Sequence, residues 1–336
     1  MKKTVIKATG RYLPPRLVTN QDLSQWMDTS DEWILQRTGI EKRYWIPESG
    51  GVGVSDLGLE ASKIAMDRTG WSPQDIDLII FATLSPDLFF PGSGCLLADK
   101  LGLKSTPALD IRQQCTGFLY GLTTADAYIR SSLAKRILLV GAEVHSTGLD
   151  VSTKGRDVAV IFGDGAAAVC VERMETNTDS GVLASALHAD GSLSESLMTY
   201  APASRDNPRI DEAMLREGKH YPTMDGKSIF KHAVRRLPEV AREVLEKAGL
   251  PLSAVDLFIP HQANLRINQA FAKTLDLPES KVYNNIQQYG NTTAASIPLA
   301  LDEAIEKGRV GPGSTVMFLG LGAGVTWGAV LYRFAT

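Results

Sequence analysis

Short continuous apolar runs alternate along the chain with longer stretches of helical periodicity, which predicts an α/β protein. The runs that read as buried strands are Val5–Ala8, the apolar end of Ser72–Ala82, Ala108–Ile111 and Arg136–Gly141. Val158–Gly165 and Ala166–Val171 read as two strands across a tight turn, and Ser253–Pro260, Ser314–Gly320 and Val325–Phe334 complete the set. Helical spacing is expected after Asn20 as N-cap, through Leu23 and Met27, then over Asp28–Gly39 and Ser55–Arg68. It returns from Thr116, where Phe118, Leu122, Ala125 and Ile129 share a face, and over Asp211–Glu217 and Gly226–Ala248. Pro238 is expected to kink or split the last of these. Gly10–Pro15 and Gly50–Gly53 read as turns, Met174–Gly181 as a surface crossover, and Leu193–Tyr221 as an irregular excursion.

The order of elements then repeats. Ser253–Pro260 echoes Gln74–Phe81, and Phe271–Leu277 echoes Leu97–Leu103. Tyr283–Asn291 and the helix after it echo Leu109–Cys115 and its helix, while Ser314–Gly320 echoes Lys135–Gly141. Four matches in one order predict two βαβ-containing halves, 1–175 and 176–336, related by a pseudo-twofold axis.

Composition adds exclusions. The 336 residues are 44% hydrophobic and 22% charged, with a net charge of -3. Such a balance suggests no nucleic-acid partner. No apolar run is long enough to span a membrane, and Met1–Lys7 lacks the apolar core of a signal peptide, so the expected compartment is a reducing cytoplasm. Cys95, Cys115 and Cys170 lie far apart without metal-type spacing, so neither a disulfide framework nor a metal site is expected.

The candidate chemistry starts at Cys115, where a strand turns into a helix. The partial positive charge of a helix N-terminus favours thiolate over thiol, although position alone also fits one more buried small residue. Pro260-His261-Gln-Ala-Asn264 follows a strand and opens a helix, and Tyr289-Gly290-Asn291 falls at the point of the second half that matches Cys115. If the halves pack about a twofold axis, these turns converge at the carboxyl ends of the strands. The Gly320–Gly324 run leads into a strand rather than a helix, so it reads as a turn offering backbone N–H groups to a substrate oxygen rather than as a dinucleotide site. Trp33 and Arg37 stand at i, i+4 on one helical face, either as a packing pair or as a stack for a base and a phosphate.

Taken together, Asp31-Glu-Trp-Ile, Arg37-Thr-Gly-Ile, Cys115-Thr-Gly-Phe, Phe162-Gly-Asp-Gly-Ala, Pro260-His-Gln-Ala-Asn, Tyr289-Gly-Asn-Thr and Val325-Thr-Trp-Gly make the chain resemble the β-ketoacyl-acyl-carrier-protein synthase III family. The resemblance implies a thiolase-like layered αβαβα fold, a homodimer, and condensation of an acyl-CoA with malonyl-acyl carrier protein, with no cofactor beyond the coenzyme A thioester. It implies a catalytic set of Cys115, His261 and Asn291 and an oxyanion hole from the backbone of Cys115 and of Ala323 or Gly324. It also implies a CoA site of Trp33, Arg37, Arg156, Phe230, Asn264 and Arg266, with Phe90 walling the partner's acyl pocket. Lys231, Arg266 and Lys273 are then candidates for docking the acidic carrier protein, and Cys95 and Cys170 for packing. The long Leu193–Tyr221 excursion, and Leu321 in the glycine loop, leave the acyl preference open. The competing expectation is a condensing enzyme or acyltransferase of secondary metabolism on the same scaffold. A thiolase would want a second cysteine near the C-terminal glycine loop. A hydroxymethylglutaryl-CoA-type synthase would want an acid for which Glu143 is a weak candidate.

Overall fold

The computed structural model describes residues 1–175 and 177–336. The first half runs β1 (Lys2–Tyr12), β2 (Arg16–Thr19), α1 (Asn20–Leu23), α2 (Asp31–Thr38), β3 (Lys42–Trp45), α3 (Val54–Thr69), β4 (Leu78–Ala82), α4 (Ser93–Lys100), β5 (Ala108–Ile111), α5 (Gly117–Arg130), β6 (Arg136–Glu143), α6 (Arg156–Ala159) and β7 (Gly165–Glu175). The second runs β8 (Gly181–Ala189), β9 (Leu197–Thr199), α7 (Glu212–Glu217), β10 (Pro222–Met224), α8 (Gly226–Ala248), β11 (Leu257–Pro260), α9 (Leu265–Thr274), α10 (Ile286–Tyr289), α11 (Ser296–Glu306), β12 (Thr315–Gly322) and β13 (Thr326–Arg333).

The two large sheets repeat one plan. The first has the order β1-β7-β6-β4-β5, and the second β8-β13-β12-β11. β4 pairs in parallel with both β5 and β6, as β11 does with β12, and the pairings β1–β7, β7–β6, β12–β13 and β13–β8 are antiparallel. Where β5 flanks β4, the second half has only a parallel bridge from Val282 to Phe258.

Alternation within the strands explains five layers. Leu78 and Ile80 of β4, with Val316 and Phe318 of β12, face a shared core that also holds Phe118, Leu122, Ile297 and Leu301 of α5 and α11. Ile79 and Phe81 turn the other way, against α3 and α4. Met317 and Leu319 likewise turn against α8 and α9. Strands buried on both faces have no polar side to show, which is why they read as unbroken apolar runs. The stack is therefore helix, sheet, helix, sheet, helix, as expected.

Several local expectations change. Thr19, not Asn20, caps α1, while Asn20 is buried and donates to the Ile40 carbonyl at 2.7 Å. β1 continues through the stretch that reads as a turn at Gly10, and α8 continues through Pro238 without a break, because its buried face of Ala233, Leu237, Val240 and Val244 packs on both sides of it. The first strand expected over Val158–Gly165 is instead the end of α6 and an irregular turn. There the buried Arg43 guanidinium donates to the Val160 carbonyl (2.8 Å) and the Trp45 indole to that of Phe162 (3.0 Å), taking groups a strand would need. The Leu193–Tyr221 excursion is closed at its base by β9 pairing with β10. Cys170 is buried as expected, whereas Cys95 is exposed on α4. The expected boundary at 175/176 touches residue 176, which lies outside the described residues.

Candidate active site

Helices α5 and α11 are the central layer, and both start without a side-chain cap. Uncapped N–H groups are the positive pole of a helix, so two such poles meet between the sheets. Each is preceded by one tight turn, Gln114–Thr116 and Thr293–Ala295, and each turn opens on a residue in left-handed backbone, Gln114 at φ 43° and Thr293 at φ 47°. The pseudo-symmetry therefore pairs Cys115 with Ala294. Asn291 stands earlier than the repeat suggests, at the head of the equivalent loop.

Glycines allow close packing around the candidate residues. A Cβ on Gly322, at the end of β12, would fall 2.5 Å from Cys115 Cβ and 2.9 Å from its sulfur. One on Gly320 would fall 3.2 Å from His261 Cβ and 3.4 Å from the Cys115 carbonyl oxygen. One on Gly117 would fall 3.1 Å from Ala294 Cβ. Only bare backbone fits between the nucleophile, the histidine and the asparagine turn. Cys115, His261 and Asn291 are 5%, 4% and 5% exposed, so all three are buried.

Each group is held by its neighbours. His261 follows β11, its backbone N–H donating to Leu319 at 2.7 Å. Its Nδ1 meets Ser296 Oγ at 2.6 Å, whereas the buried Nε2 has no partner. The Gln262 N–H also donates to that oxygen at 3.4 Å, and with the Ser296 hydroxyl donating to Nδ1 a neutral ring carries its proton on Nε2. Asn291 is tied through its backbone to Ile161 and Gly163, and its Oδ1 accepts from the Thr293 N–H at 2.8 Å. Behind it, Gly290 lies at φ 66°, where a Cβ would come within 2.8 Å of the Ile161 carbonyl. The Ala323 N–H reaches the Cys115 sulfur.

The resting electrostatics depart from expectation. Complete burial, seconded by the charge of Glu143, pushes the Cys115 thiol up to about 12, and the Ala323 and Cys115 N–H groups offset this only in part. The expected helix-start thiolate is thus a thiol in the free protein, because desolvation outweighs the helix pole. Burial also pushes His261 down to about 3, with His145 adding to the effect, so the imidazole is neutral.

Sequence reasoning named Glu143 only as a weak candidate acid and did not single out His145. Glu143, at the end of β6, is wholly buried and accepts from the Thr83 hydroxyl (3.1 Å), Leu84 N–H (3.2 Å), Ser85 hydroxyl (2.6 Å) and Ala294 N–H (3.4 Å). Burial raises its carboxyl to about 7 despite these donors. Two residues on, His145 is buried against Thr293. The only sequence signal for either is a polar side chain at the end of a wholly apolar strand.

The proposed nucleotide residues also gather. The Arg37 guanidinium lies 4.2 Å above the Trp33 ring and that of Arg156 lies 5.1 Å from it, while Arg156 also donates to the Asp28 carbonyl. Asn264 caps α9 and donates to the Arg37 carbonyl at 2.9 Å, joining the end of α2 to the start of α9. Arg266 lies 5.6 Å over Phe230. Lys231, Arg266 and Lys273 are all exposed, on the packed helices α8 and α9. Leu88, Phe89 and Phe90 form an exposed apolar loop, Phe90 at 79% exposure. Among the described residues no cluster of His, Cys, Asp or Glu has metal-site geometry, and no helix is long and apolar enough to cross a membrane.

Residues 109–191 match the family profile described as 3-Oxoacyl-[acyl-carrier-protein (ACP)] synthase III, and residues 245–334 match its C-terminal counterpart. The structure is similar to 3-oxoacyl-[acyl-carrier-protein] synthase III from Aquifex aeolicus VF5, at 44% identity over 98% of this chain and 100% of that one, with a TM-score of 0.89. It is similar to the synthase III of Thermus thermophilus at 38% identity, over 98% and 99% of the two chains, with a TM-score of 0.90. It is also similar to that of Pseudomonas aeruginosa PAO1 at 36% identity, over 99% of both, with a TM-score of 0.89. Sequence motifs, two-sheet architecture and whole-chain similarity agree: the chain belongs to the 3-oxoacyl-[acyl-carrier-protein] synthase III family of thiolase-fold, acyl-transferring condensing enzymes.

Proposed function

We propose that the protein starts fatty-acid synthesis by condensing an acyl-CoA primer with malonyl-acyl carrier protein, through an acyl thioester on Cys115. The observation that carries this is the packing of one sulfur and one imidazole with an unpartnered Nε2 against the bare backbone of Gly320 and Gly322, with the turn that follows Asn291 against Gly117. In the first half-reaction the Cys115 sulfur attacks the acyl-CoA carbonyl and the C–S bond to CoA breaks. The Cys115 proton ends on the departing thiol. The oxyanion formed on the way is suited to the N–H groups of Cys115 and Ala323, which already point at the sulfur. The half 1–175 thus supplies the nucleophile, and the half 176–336 the two remaining groups.

In the second half-reaction malonyl-acyl carrier protein loses CO2, and the electron pair of the broken C–C bond forms an enolate on the thioester oxygen. A neutral His261 with its proton on Nε2, and the Asn291 amide, are donors that hold such an oxygen without protonating the carbon. The carbanion attacks the acyl-Cys115 carbonyl, the thiolate leaves and takes up a proton, and a β-ketoacyl carrier protein is released. Trp33, Arg37, Arg156, Asn264, Phe230 and Arg266 are assigned to CoA. Lys231, Arg266 and Lys273 are assigned to the acidic carrier. Homodimerisation in the cytoplasm accounts for two features, the half-exposed edge strand β5 and the apolar loop that carries Phe90.

The test separates the half-reactions. Cys115→Ala should abolish the adduct seen by mass spectrometry after incubation with a panel of acyl-CoAs. His261→Ala and Asn291→Ala should keep the adduct but slow its condensation by about 10²–10³-fold each. Normal condensation by Asn291→Ala would overturn the scheme. The acyl-CoA that labels best reports the chain preference, and so tells a primer synthase from a specialised acyltransferase.

A further inference from the structure

We propose that His145 is a positioning residue for the decarboxylating condensation, acting through Thr293 to hold the Asn291 amide with its N–H2 toward the substrate. The chain of contacts is short. His145 Nε2 meets Thr293 Oγ1 at 2.7 Å, and the Thr293 N–H donates to Asn291 Oδ1 at 2.8 Å. An amide has two ends of nearly equal size, and which one faces the pocket is decided by the bond the other makes. With Oδ1 engaged by Thr293, the N–H2 is the end left over, and a donor is what an enolate oxygen requires.

Thr293 alone is poorly suited to hold that orientation. It is β-branched and sits at φ 47°, in left-handed backbone such residues avoid. A conformation of this kind persists only where the surroundings over-determine it. The His145 ring supplies the missing tie, and it is itself well fixed. Its backbone N–H donates to Asp164 Oδ1 at 2.6 Å, and its ring packs on Phe162 with centroids 4.6 Å apart. Phe162 in turn forms the backbone bridge to Asn291. Burial pushes the imidazole down to about 3, so the ring stays neutral and its bond to the hydroxyl persists across the working pH range. Without the tie, relaxation of Thr293 would turn its N–H away and free the amide to present its oxygen where a donor is needed.

The inference rests on Asn291 serving the second half-reaction, and the experiment keeps the two apart. The full-length protein is first acylated on Cys115 with whichever straight-chain acyl-CoA labels it fastest. It is then mixed with malonyl-acyl carrier protein while loss of the adduct is followed in a single turnover. His145→Leu should acylate within about twofold of the parent, yet lose the adduct about tenfold more slowly, the effect of one misplaced hydrogen bond. His145→Gln, whose amide nitrogen reaches the place of Nε2, should restore most of the rate. Thr293→Val should match His145→Leu, and combining the two should cost no more than either alone, because they break one chain. Thr293→Val is nearly isosteric and carries the test if His145→Leu fails to fold. Adduct loss at the parental rate in Thr293→Val and His145→Leu, with Asn291→Ala still slow, overturns the role of His145 alone. Parental rates in all three overturn the role of Asn291 and this one with it.

Discussion

Replacing Gly322 by alanine tests whether the nucleophile's placement depends on an absent side chain. The new methyl would lie 2.5 Å from Cys115 Cβ, 2.9 Å from its sulfur and 3.1 Å from its backbone nitrogen. Carbon atoms in comfortable contact stand about 3.5–4.0 Å apart, so roughly 1 Å must be found by moving β12 or the Cys115 turn. Gly322 has no positive φ, so the effect is one of space and not of backbone conformation. Overpacking of this kind costs about 1–3 kcal/mol of stability, which leaves a folded protein with a lowered melting temperature. The catalytic effect should be larger, since a displacement of about 1 Å in a reacting group costs about 10²-fold. The assay is the rate of Cys115 acylation by acyl-CoA, with thermal melting as the check on folding. Two controls grade it. Gly320→Ala, at 3.2 Å from His261 Cβ, should be milder, and Gly311→Ala, with nothing within 4 Å, should be silent. A folded Gly322→Ala protein that acylates at the parental rate would show that the cysteine is not confined as described, and the oxyanion geometry at Ala323 would go with it.

Three further expectations concern the Trp33 stack, the exposed lysines of α8 and α9, and Glu143. Trp33→Ala should raise KM for acyl-CoA roughly tenfold with kcat little changed, since a stack under two guanidinium groups contributes binding rather than chemistry. Reversing Lys231 or Lys273 to Glu should instead raise KM for malonyl-acyl carrier protein alone, and unchanged steady-state kinetics with the carrier would remove the docking surface. Glu143→Gln addresses the buried carboxyl, raised from its ordinary 4.5 to about 7. A raised folded value means that the stability this group contributes is full below about pH 4.5 and is lost as pH rises through about 7. Between pH 5 and pH 8 the parent should therefore lose about 2–3 kcal/mol relative to Glu143→Gln, read by urea melts at each pH. Parallel stability profiles would show Glu143 to be ionised throughout.

The architecture was legible because its layers leave so little choice. Leu78–Phe81 and Val316–Leu319 are apolar on both faces, which only a strand between two helix layers requires. Where the sequence misled, a non-local partner decided the backbone. Val158–Gly165 has the β-branched, apolar look of a strand, but Arg43 and Trp45, more than a hundred residues earlier, claim its carbonyls. β8 went unread because Gly181–Ala189 is rich in small residues and shows a weak alternation. The Cys115 protonation state failed for the same kind of reason. A helix start is a local feature and favours thiolate, whereas burial and Glu143 belong to the assembled fold and prevail.

The pseudo-symmetry also bears on why the proposed reacting groups are not themselves symmetric. Each half places one uncapped helix and one left-handed turn at the matching position, with Cys115 in the first turn and Ala294 in the second. Ala294 already stands against the bare Gly117, where a Cβ would lie only 3.1 Å away. The second half therefore contributes from other offsets, His261 from the end of the neighbouring strand and Asn291 from the head of its loop. Those offsets bring Thr293, at the turn position matching Gln114, between the histidine of one half and the asparagine of the other. A residue at that point bonds across the junction between halves, so its substitution should disturb catalysis before it disturbs either half's folding.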